Sequence, residues 1–297
     1  MPANVDGVIR PFIEGLSAQF NLIAKGKRWW QAVRIGVVSP LSTLVYQWYT
    51  RRIMSEVKAN PMPEHIAMIL DGNRRFARRV GLPDLAEGHR YGAQKVREVI
   101  QWCNELEIPV VTLWGLSTDN LKRPREELDK ICQIVGDELA TFCQDQSTFT
   151  LQRRIRAVGR SELLPEKLRV QIEEVERATA SKGPWLLNVA VAYGGRDEIL
   201  DAFKSMLRAR GAAGESISAI AENLSIDDLQ QHLYAPDAPQ PDLIIRTSGE
   251  VRLSGFLLWQ SVYSELYFCD ALWPAFRKID FLRAIRSFQA RPRRFGR

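Results

Sequence analysis

Short apolar runs alternate with longer amphipathic segments from residue 64 to the end of the chain. The runs are three to seven residues long, as in buried strands, whereas Val96, Val99 and Cys103 recur at helical spacing between the first two runs. The predicted strands are Ile66–Leu70, Val110–Gly115, Ile155–Val158, Leu186–Ala192, Leu243–Arg246 and Leu266–Phe268. The predicted helices cover residues 91–106, 124–145, 162–181, 195–210 and 277–290, and Gly211–Ser218 is predicted to be a loop.

This alternation predicts a single α/β domain with a central, mostly parallel sheet flanked by helices. In such sheets, ligands bind beyond the carboxyl ends of the strands. Polar residues that directly follow a predicted strand are therefore the candidates for a functional site.

The first 60 residues have a different pattern. Aromatic and basic residues at 28–30 and 48–52 bracket a stretch of seventeen residues. Such ends suit a membrane interface, but the stretch between them is too polar and slightly too short for a predicted span. An interfacial segment and an N-terminal helix packed on the domain both remain open. Because Pro61 and Pro63 cannot continue a helix, we expect residues 1–60 to form a basic, aromatic extension and residues 61–297 to form the domain.

The composition is that of a soluble globular protein, with 45% hydrophobic and 26% charged residues. The four cysteines show no C-x-x-C spacing and the chain has three histidines, so a zinc site is not expected. We expect a reducing, cytoplasmic setting, and the first 20 residues lack the pattern of a signal peptide.

The net charge of +6 is concentrated at the N-terminus, because residues 1–60 carry eight Lys or Arg against three acids. The remaining 237 residues hold only one of the six net positive charges. This distribution argues against nucleic acid as a partner, since a nucleic-acid-binding domain would carry a basic surface of its own.

A carboxylate and four arginines follow the first predicted strand. Asp71 ends the strand, Gly72-Asn73 makes the turn, and arginines stand at 74, 75, 78 and 79. Backbone amides at the start of the following helix, together with Arg75, would form an anion site, and Asp71 would suit Mg²⁺. The alternative is that Asp71 caps the helix and the arginines form a solvated face.

Two further clusters follow later predicted strands. Ser117, Asn120 and Arg123 come after the second strand, where a capping role for Thr118 or Asp119 would explain part of the pattern. Arg246 ends the fifth strand, and Arg252, Ser254 and Glu265 follow it. A buried Arg246–Glu250 pair is the structural alternative, whereas arginine at three strand ends favours phosphate binding.

Five ordered motifs between residue 63 and residue 297 resemble the cis-prenyltransferase family, also called the isoprenyl transferases. They are HIAMILDGNRRFA, LSTDNLKRP, NVAVAYGGR, the segment from IRTSGE to ELYF, and the terminal RRFGR. The resemblance implies a single α/β domain with an apolar product tunnel and, usually, a homodimer. It also implies an enzyme that condenses isopentenyl diphosphate with a geranyl- or farnesyl-type allylic diphosphate, with Mg²⁺ as the cofactor.

The resemblance also implies roles for individual residues. Asp71 corresponds to the catalytic, Mg²⁺-linked carboxylate and Glu265 to a second metal carboxylate, while Asn120 corresponds to the residue assigned to proton removal. The residues implied to bind substrate are Gly72, Asn73, Arg74, Arg75, Phe76, His89, Ser117, Thr118, Asp119, Leu121, Arg123, Arg246, Arg252, Leu253, Ser254, Arg294 and Gly296. In the family, the terminal R-x-G reaches the site of the neighbouring subunit.

An apolar tunnel is expected between the sheet and the helices predicted at 91–106 and 124–145, where it would hold the growing chain and exclude water. A bulky residue at Gly115 or Cys103 should then change the product length. The sequence departs from the family near His89, where a usual arginine is missing, and at Phe76 and Leu121, which replace a common Trp and another aromatic residue. The resemblance therefore leaves the allylic starter and the product length open.

The main alternative is a non-catalytic subunit of a heteromeric prenyltransferase, which would lose the Asp and Arg motifs that this chain keeps. A trans-type enzyme would need D-D-x-x-D motifs, and Asp227-Asp228 is followed by Leu-Gln-Gln. A nucleotide-binding enzyme is disfavoured because no G-x-x-x-x-G-K-[ST] motif occurs. A membrane-binding module would explain residues 1–60 and none of the three clusters, so peripheral membrane contact is expected only of the extension.

Overall fold

A computed structural model describes residues 40–144 and 153–291 of the chain. The expectations for residues 28–30, Arg294 and Gly296 therefore lie outside the described residues. The chain divides between Arg52 and Ile53 into two units, and the second unit contains the whole sheet. Among the described residues, no helix has both the length and the apolar character needed to cross a bilayer.

The six strands and five helices that the hydrophobic pattern predicts are present, with bounds that differ by a few residues. The strands are β1 His65–Ile69, β2 Val110–Trp114, β3 Arg153–Val158, β4 Trp185–Ala190, β5 Leu243–Arg246 and β6 Glu265–Phe268. The helices of the described residues are α1 Pro40–Lys58, α2 Asn73–Val80, α3 Glu87–Glu105, α4 Arg125–Gln144, α5 Glu166–Thr179, α6 Gly195–Ala212, α7 Ile217–Asn223, α8 Ile226–Gln230 and α9 Lys278–Gln289. Short 3₁₀ turns lie at Thr118–Lys122, Ser161–Leu163 and Trp273–Ala275.

The six strands form one sheet in the order β3-β4-β2-β1-β5-β6, and every pair is parallel. The predicted α/β fold with a parallel sheet is thereby confirmed. Both faces of the central strands are buried, which explains why these strands are continuous apolar runs in the sequence. The carboxyl ends of β1, β2 and β5 are adjacent at one edge of the sheet, and the three polar clusters follow these strands.

The two faces of the sheet pack against different parts of the chain. On one face, Leu113 and Val189 border a space that is closed by α3 and α4. On the other face, Tyr193 and Phe256 form a core cluster with apolar residues of the sheet, and Trp114 packs against this cluster. The face that carries α3 and α4 is therefore the one with room for an apolar ligand.

The structure differs from the predictions in two segments. Gly211–Ser218 is a loop only in its middle, because α6 extends to Ala212 and α7, capped by the hydroxyl of Ser216, starts at Ile217. The last turns of α1, from Ile53 to Lys58, belong to the same unit as the sheet. Ile53 and Val57 are fully buried there, and Gln289 donates a hydrogen bond to the carbonyl of Val57. The compact unit thus begins eight residues before the predicted domain boundary at residue 61.

Candidate active site

A cavity of about 430 Å³ lies at the carboxyl ends of β1, β2 and β5. It brings together residues of all three clusters that the sequence singles out. The predicted site residues in its wall are Asp71, Gly72, Asn73, Arg74, Arg75, His89, Ser117, Asn120, Arg123, Arg246 and Ser254. We call this cavity the polar pocket.

Asp71 follows β1 and carries the carboxylate of the polar pocket. Its Oδ2 accepts hydrogen bonds from Nη2 of Arg246 at 2.8 Å and from Nη2 of Arg75 at 3.4 Å. Arg246 is almost wholly buried, and its Nη1 donates to Oγ of Ser254 at 2.7 Å and to the backbone carbonyl of Arg252 at 2.5 Å. The buried guanidinium is thus held in one orientation, with one terminal nitrogen on the carboxylate.

The arginines keep the Asp71 carboxylate ionised. Partial burial favours its protonated form, but hydrogen bonds from Arg246 and Ser248 and the charges of Arg246 and Arg75 outweigh this effect. The pKa of Asp71 therefore lies below its ordinary value. At neutral pH the pocket presents a fixed negative charge surrounded by guanidinium groups.

Arg75 lies on the first turn of α2 and binds the loop that follows β5. Its Nη1 donates to the backbone carbonyl of Ser248 at 3.1 Å and its Nη2 donates to Oγ of Ser248 at 2.5 Å, while Nη1 also lies 3.3 Å from Oε1 of Glu250. Glu250 also pairs with Arg252. The alternative of a buried Arg246–Glu250 pair is therefore wrong, because Arg246 binds Asp71 and Glu250 binds the two other arginines.

Gly72 makes the turn from Asp71 into α2. Its φ of 110° lies in the region that favours glycine, and an added Cβ would stand 3.0 Å from Cδ2 of Leu272. No side chain caps this helix, so the suggestion that Asp71 is its capping residue is wrong. The Asp71 carboxylate faces the arginines because the turn leaves it outside the helix.

The cluster after β2 is ordered by a capping box. Ser117 is the cap of the turn Thr118–Lys122; its hydroxyl accepts from the amide of Asn120 at 3.1 Å, and Oδ1 of Asn120 accepts from the amide of Ser117 at 3.2 Å. The capping role suggested for Thr118 or Asp119 is therefore wrong, because Ser117 is the cap and Asn120 completes the capping box. Asn120 therefore reaches the polar pocket on a backbone that its own side chain helps to fix.

His89 lies where the polar pocket meets α3. Burial, reinforced by the positive charge of Arg123, lowers the pKa of His89 to about 4, so the ring is neutral at pH 7. Its Nε2 is buried and has no hydrogen-bond partner among the described residues. A neutral imidazole beside Arg74 and Arg123 can donate to an anion or accept from a protonated ligand.

Several predicted site residues do not line the polar pocket. Phe76 is buried against Tyr91, with ring centroids 5.6 Å apart, and Asp119 pairs with Lys122 in solvent. Others outside the lining are Thr118, Leu121, Arg252 and Leu253; Arg252 contributes its backbone carbonyl, and Leu253 packs against the core.

Glu265 is not brought to Asp71 within the chain. It begins β6 and pairs in register with Leu243, which pairs with Ile66. Asp71 lies five residues beyond Ile66, which is about 16 Å farther along the strands. The carboxylate of Glu265 instead accepts a hydrogen bond from Arg291. Within one chain, the two carboxylates are therefore too far apart to hold the same metal ion.

Sequence reasoning missed residues that hold Asp71 in place. Thr247 accepts from the amide of Asp71 at 3.0 Å, and its hydroxyl donates to the carbonyl of Asp71 at 2.7 Å. Ser248 has a φ of 84°, a strained conformation for a residue with a side chain, and receives both hydrogen bonds from Arg75. The available signal was the pair of hydroxyl residues directly after the Arg246 strand end.

A second, apolar cavity opens beside the polar pocket, and the two share Leu70, Asn73, His89 and Gly115 in their walls. It measures about 90 Å³ and lies between the sheet, α3 and α4. The helices contribute Gly92, Ala93, Val96, Ile131, Ile134, Val135, Glu138, Leu139 and Phe142. We call this cavity the apolar chamber. Gly115 lines it as expected, whereas Cys103 is buried elsewhere and does not.

Comparisons with known proteins agree with this geometry. A family model described as undecaprenyl diphosphate synthase matches residues 69–296. An isoprenyl transferase of Thermus thermophilus is 52% identical over 86% of this chain and 97% of its own length. A (2Z,6E)-farnesyl diphosphate synthase of Thermobifida fusca is 49% identical over 85% of this chain and 97% of its own length. The crystal structure of lavandulyl diphosphate synthase from Lavandula x intermedia, in complex with dimethylallyl diphosphate, superposes with a TM-score of 0.74 at 33% identity, over 80% of this chain and 99% of that one.

Proposed function

The chain belongs to the undecaprenyl diphosphate synthase family, the cis-prenyltransferases, and from that premise we propose how its site works. The protein is an isoprenyl transferase that condenses isopentenyl diphosphate with an allylic diphosphate. We further propose that the starter is of geranyl or farnesyl type, that the product is a cis-polyprenyl diphosphate, and that residues 61–297, together with the last turns of α1 from Ile53, form the catalytic domain.

The observation that carries this proposal is the junction of the polar pocket with the apolar chamber. A pocket lined by ionised Asp71 and several arginines opens at Leu70, Asn73 and Gly115 into a space with an apolar wall. A prenyl diphosphate has the same two parts, a strongly anionic head and an apolar chain. The site therefore matches the substrate class in both charge and polarity.

We assign the two sides of the polar pocket to two diphosphates. The turn Gly72-Asn73, Arg74, Arg75 and His89 would bind the allylic diphosphate, because Asn73 and His89 also line the chamber that would hold its chain. Arg246, Ser254 and the backbone near Arg252 would bind isopentenyl diphosphate. Arginine suits both diphosphates, since its planar group donates two parallel hydrogen bonds to phosphate oxygens.

We propose Mg²⁺ as the cofactor, held by Asp71 together with diphosphate oxygens. The residues fit such an ion, because Mg²⁺ in phosphate-transfer sites needs only one or two protein carboxylates and Asp71 is an ionised carboxylate in the pocket wall. When bound, the ion would stabilise the negative charge of the departing diphosphate. A metal role for Glu265 would have to be separate from Asp71 of its own chain.

The reaction breaks the C1–O bond of the allylic diphosphate and forms a bond from C1 to the isopentenyl double bond. The arginines stabilise the charge that develops on the leaving diphosphate, and a proton then leaves C2 of the isopentenyl unit. Asn120, ordered by Ser117 in the wall of the pocket, is our candidate for guiding that proton. The apolar chamber keeps water away from the cation-like C1.

We also propose that the enzyme is a homodimer in which Arg294 and Gly296 act in the neighbouring subunit. In support, Arg291 binds Glu265 at the amino end of β6, whereas Asp71 follows the carboxyl end of β1. The described chain therefore ends on the side away from its own polar pocket.

We further propose that residues 1–60 make peripheral contact with a membrane.

The test is incubation of the full-length protein with labelled isopentenyl diphosphate, Mg²⁺ and either geranyl or farnesyl diphosphate. Elongated products are expected from the wild type, and Asp71→Ala should lower their rate by at least 100-fold, as loss of an electrostatic catalytic group commonly does. If the folded wild type forms no product from either starter, the protein is instead assigned as a non-catalytic subunit of a heteromeric prenyltransferase. Gly115→Leu tests the chamber, because its side chain would stand at the junction and should shorten the product.

A further inference from the structure

The wall of the apolar chamber contains one charged residue that apolar chemistry does not explain. Beyond His89, the lining residues of α3 and α4 are apolar with the exception of Glu138. Its side chain is only 13% exposed. Burying a carboxylate in an apolar wall costs free energy unless the carboxylate is paired. The partner of Glu138 and its position on α4 therefore call for an explanation.

Glu138 of α4 is paired with Arg97 of the neighbouring helix α3. Nε of Arg97 donates to Oε1 of Glu138 at 2.5 Å, and Nη2 of Arg97 donates to Oε2 of Glu138 at 2.8 Å, so the salt bridge is bidentate. Arg97 is 46% exposed and does not line the chamber, so its guanidinium reaches Glu138 from the solvent side. The pair therefore joins the two helices from outside the wall.

The pair lies where the contribution of α3 to the chamber ends. The lining residues of this helix run from His89 to Val96, about 10 Å along the axis, and Arg97 is the next residue. On α4, the lining continues past Glu138 to Leu139 and Phe142. A prenyl chain that grows from the polar pocket into the apolar chamber thus reaches the contact between α3 and α4 at the level of Arg97 and Glu138.

We propose that the Arg97–Glu138 pair is a clasp that limits the length of the prenyl product, an inference that rests on the proposed function. With the pair formed, α3 and α4 are held together beyond Val96 and the growing chain meets a closed wall. With the pair broken, the helices can separate at this depth and the chain can extend between them. The clasp is thus a determinant of product size outside the polar pocket.

The experiment compares the products of wild type, Arg97→Ala and Glu138→Ala, using full-length protein, labelled isopentenyl diphosphate, farnesyl diphosphate and Mg²⁺. Both variants should shift the distribution to longer products, by one or more five-carbon units. Arg97→Ala is the sharper variant, because it opens the clasp without removing any atom from the chamber wall. If Glu138→Ala forms longer products and Arg97→Ala does not, the volume of the chamber wall sets the product length, and the proposed role of the clasp is wrong.

Two further variants control for charge and folding. Glu98→Ala removes an acid whose partner, Lys95, lies on the same helix at 2.7 Å, and it should leave the product length unchanged. The exchange Arg97→Glu with Glu138→Arg restores an ion pair and should restore the wild-type length, so a longer product from this folded protein would contradict the proposal. A wild type without product refutes the proposed function, whereas wild-type product with unchanged length in every folded variant refutes the clasp alone.

Discussion

His65 is a buried polar residue at the start of β1, on the face of the sheet away from the apolar chamber. Its Nδ1–H donates to the carbonyl of Pro239 at 2.6 Å, and the hydroxyl of Thr112 donates to its Nε2 at 2.8 Å. Burial lowers the pKa of His65 to about 4, although Pro239 and the charge of Asp242 favour the protonated ring. The folded protein thus holds this imidazole neutral.

We expect His65 to make the stability depend on pH. Between pH 6.5 and pH 4 the ring is protonated in the unfolded chain and neutral in the folded one, so the free energy of unfolding falls as the pH decreases through this window. The loss from this residue is about 2 kcal/mol at pH 5. Urea unfolding of wild type and His65→Gln at pH 7 and pH 5 measures it, because the variant should lose less stability between the two values. Equal losses in the two proteins would contradict the prediction.

Arg153 carries a buried guanidinium that has no carboxylate partner among the described residues. Its donors reach Oδ1 of Asn104 at 2.9 Å and the carbonyls of Ile108 at 2.7 Å and Pro109 at 2.9 Å, and it stacks on Trp185. Burial lowers the pKa of Arg153 to about 10, so it stays charged at neutral pH. The side chain ties β3 to the segment that leads into β2.

Arg153→Met should destabilise the protein by about 3 kcal/mol or more, because it leaves buried carbonyl oxygens without donors. Arg154→Met is the matched control, since the adjacent side chain is exposed on the same strand and should change the free energy of unfolding by less than about 0.5 kcal/mol. Thermal and urea unfolding of the two variants and the wild type measure these changes in the free energy of unfolding. Equal effects would show that the buried contacts of Arg153 contribute nothing specific.

Between elements, the closest packing at the site is that of α3 against the start of α2. An added Cβ on Gly92 would overlap Oδ1 of Asn73 and stand 2.9 Å from Cδ1 of Trp273, whose indole donates to the carbonyl of Gly92 at 2.8 Å. Asn73 lies in the walls of both cavities. Gly92 therefore sets how near α3 lies to the turn Gly72-Asn73.

Gly92→Ala should lower kcat/KM for the allylic diphosphate at least 10-fold. The added methyl group displaces Asn73 by a sizeable fraction of an ångström, and misplacement of a substrate-positioning group lowers the reaction rate. Gly211→Ala on α6 is the matched control, since nothing lies within 4 Å of its added Cβ. Steady-state kinetics with each diphosphate varied in turn measures the effect. Unchanged kinetics in a folded Gly92→Ala protein would show that Asn73 tolerates displacement.

The elements show how far sequence reasoning reaches and where it stops. The strands were predictable because a parallel sheet buries both faces, and the polar residues after β1, β2 and β5 followed from the position of ligand sites in such folds. The partner of Arg246 was not predictable, because Glu250 is nearer in sequence and Asp71 is nearer in space. The capping role of Asn120 and the distance of Glu265 from Asp71 depend on local backbone angles and on strand register, which the hydrophobic pattern does not encode.

At the scale of the whole domain, the polar pocket lies at the carboxyl ends of the strands, whereas Arg291, the last described residue, lies at the amino end of β6. Asp71 follows the carboxyl end of β1, whereas Arg291 binds Glu265 at the amino end of β6. A site completed by the terminal R-x-G is then more readily formed with the tail of a second subunit than with its own tail. This arrangement makes a prediction about mixed dimers.

If the proposed roles and the proposed homodimer are right, Asp71→Ala and Arg294→Ala should each be nearly inactive, because the first removes the proposed catalytic carboxylate and the second removes a proposed substrate-binding guanidinium. In a mixed dimer, one site would combine Asp71 of the second protein with Arg294 of the first and would be intact. Refolding the two variants together at equal concentration should therefore restore about a quarter of the wild-type activity, since half of the random dimers are mixed and each has one intact of two sites. If Arg294 acts on its own chain, or if the protein is a monomer, co-refolding restores nothing, and size-exclusion chromatography of the wild type distinguishes these two cases.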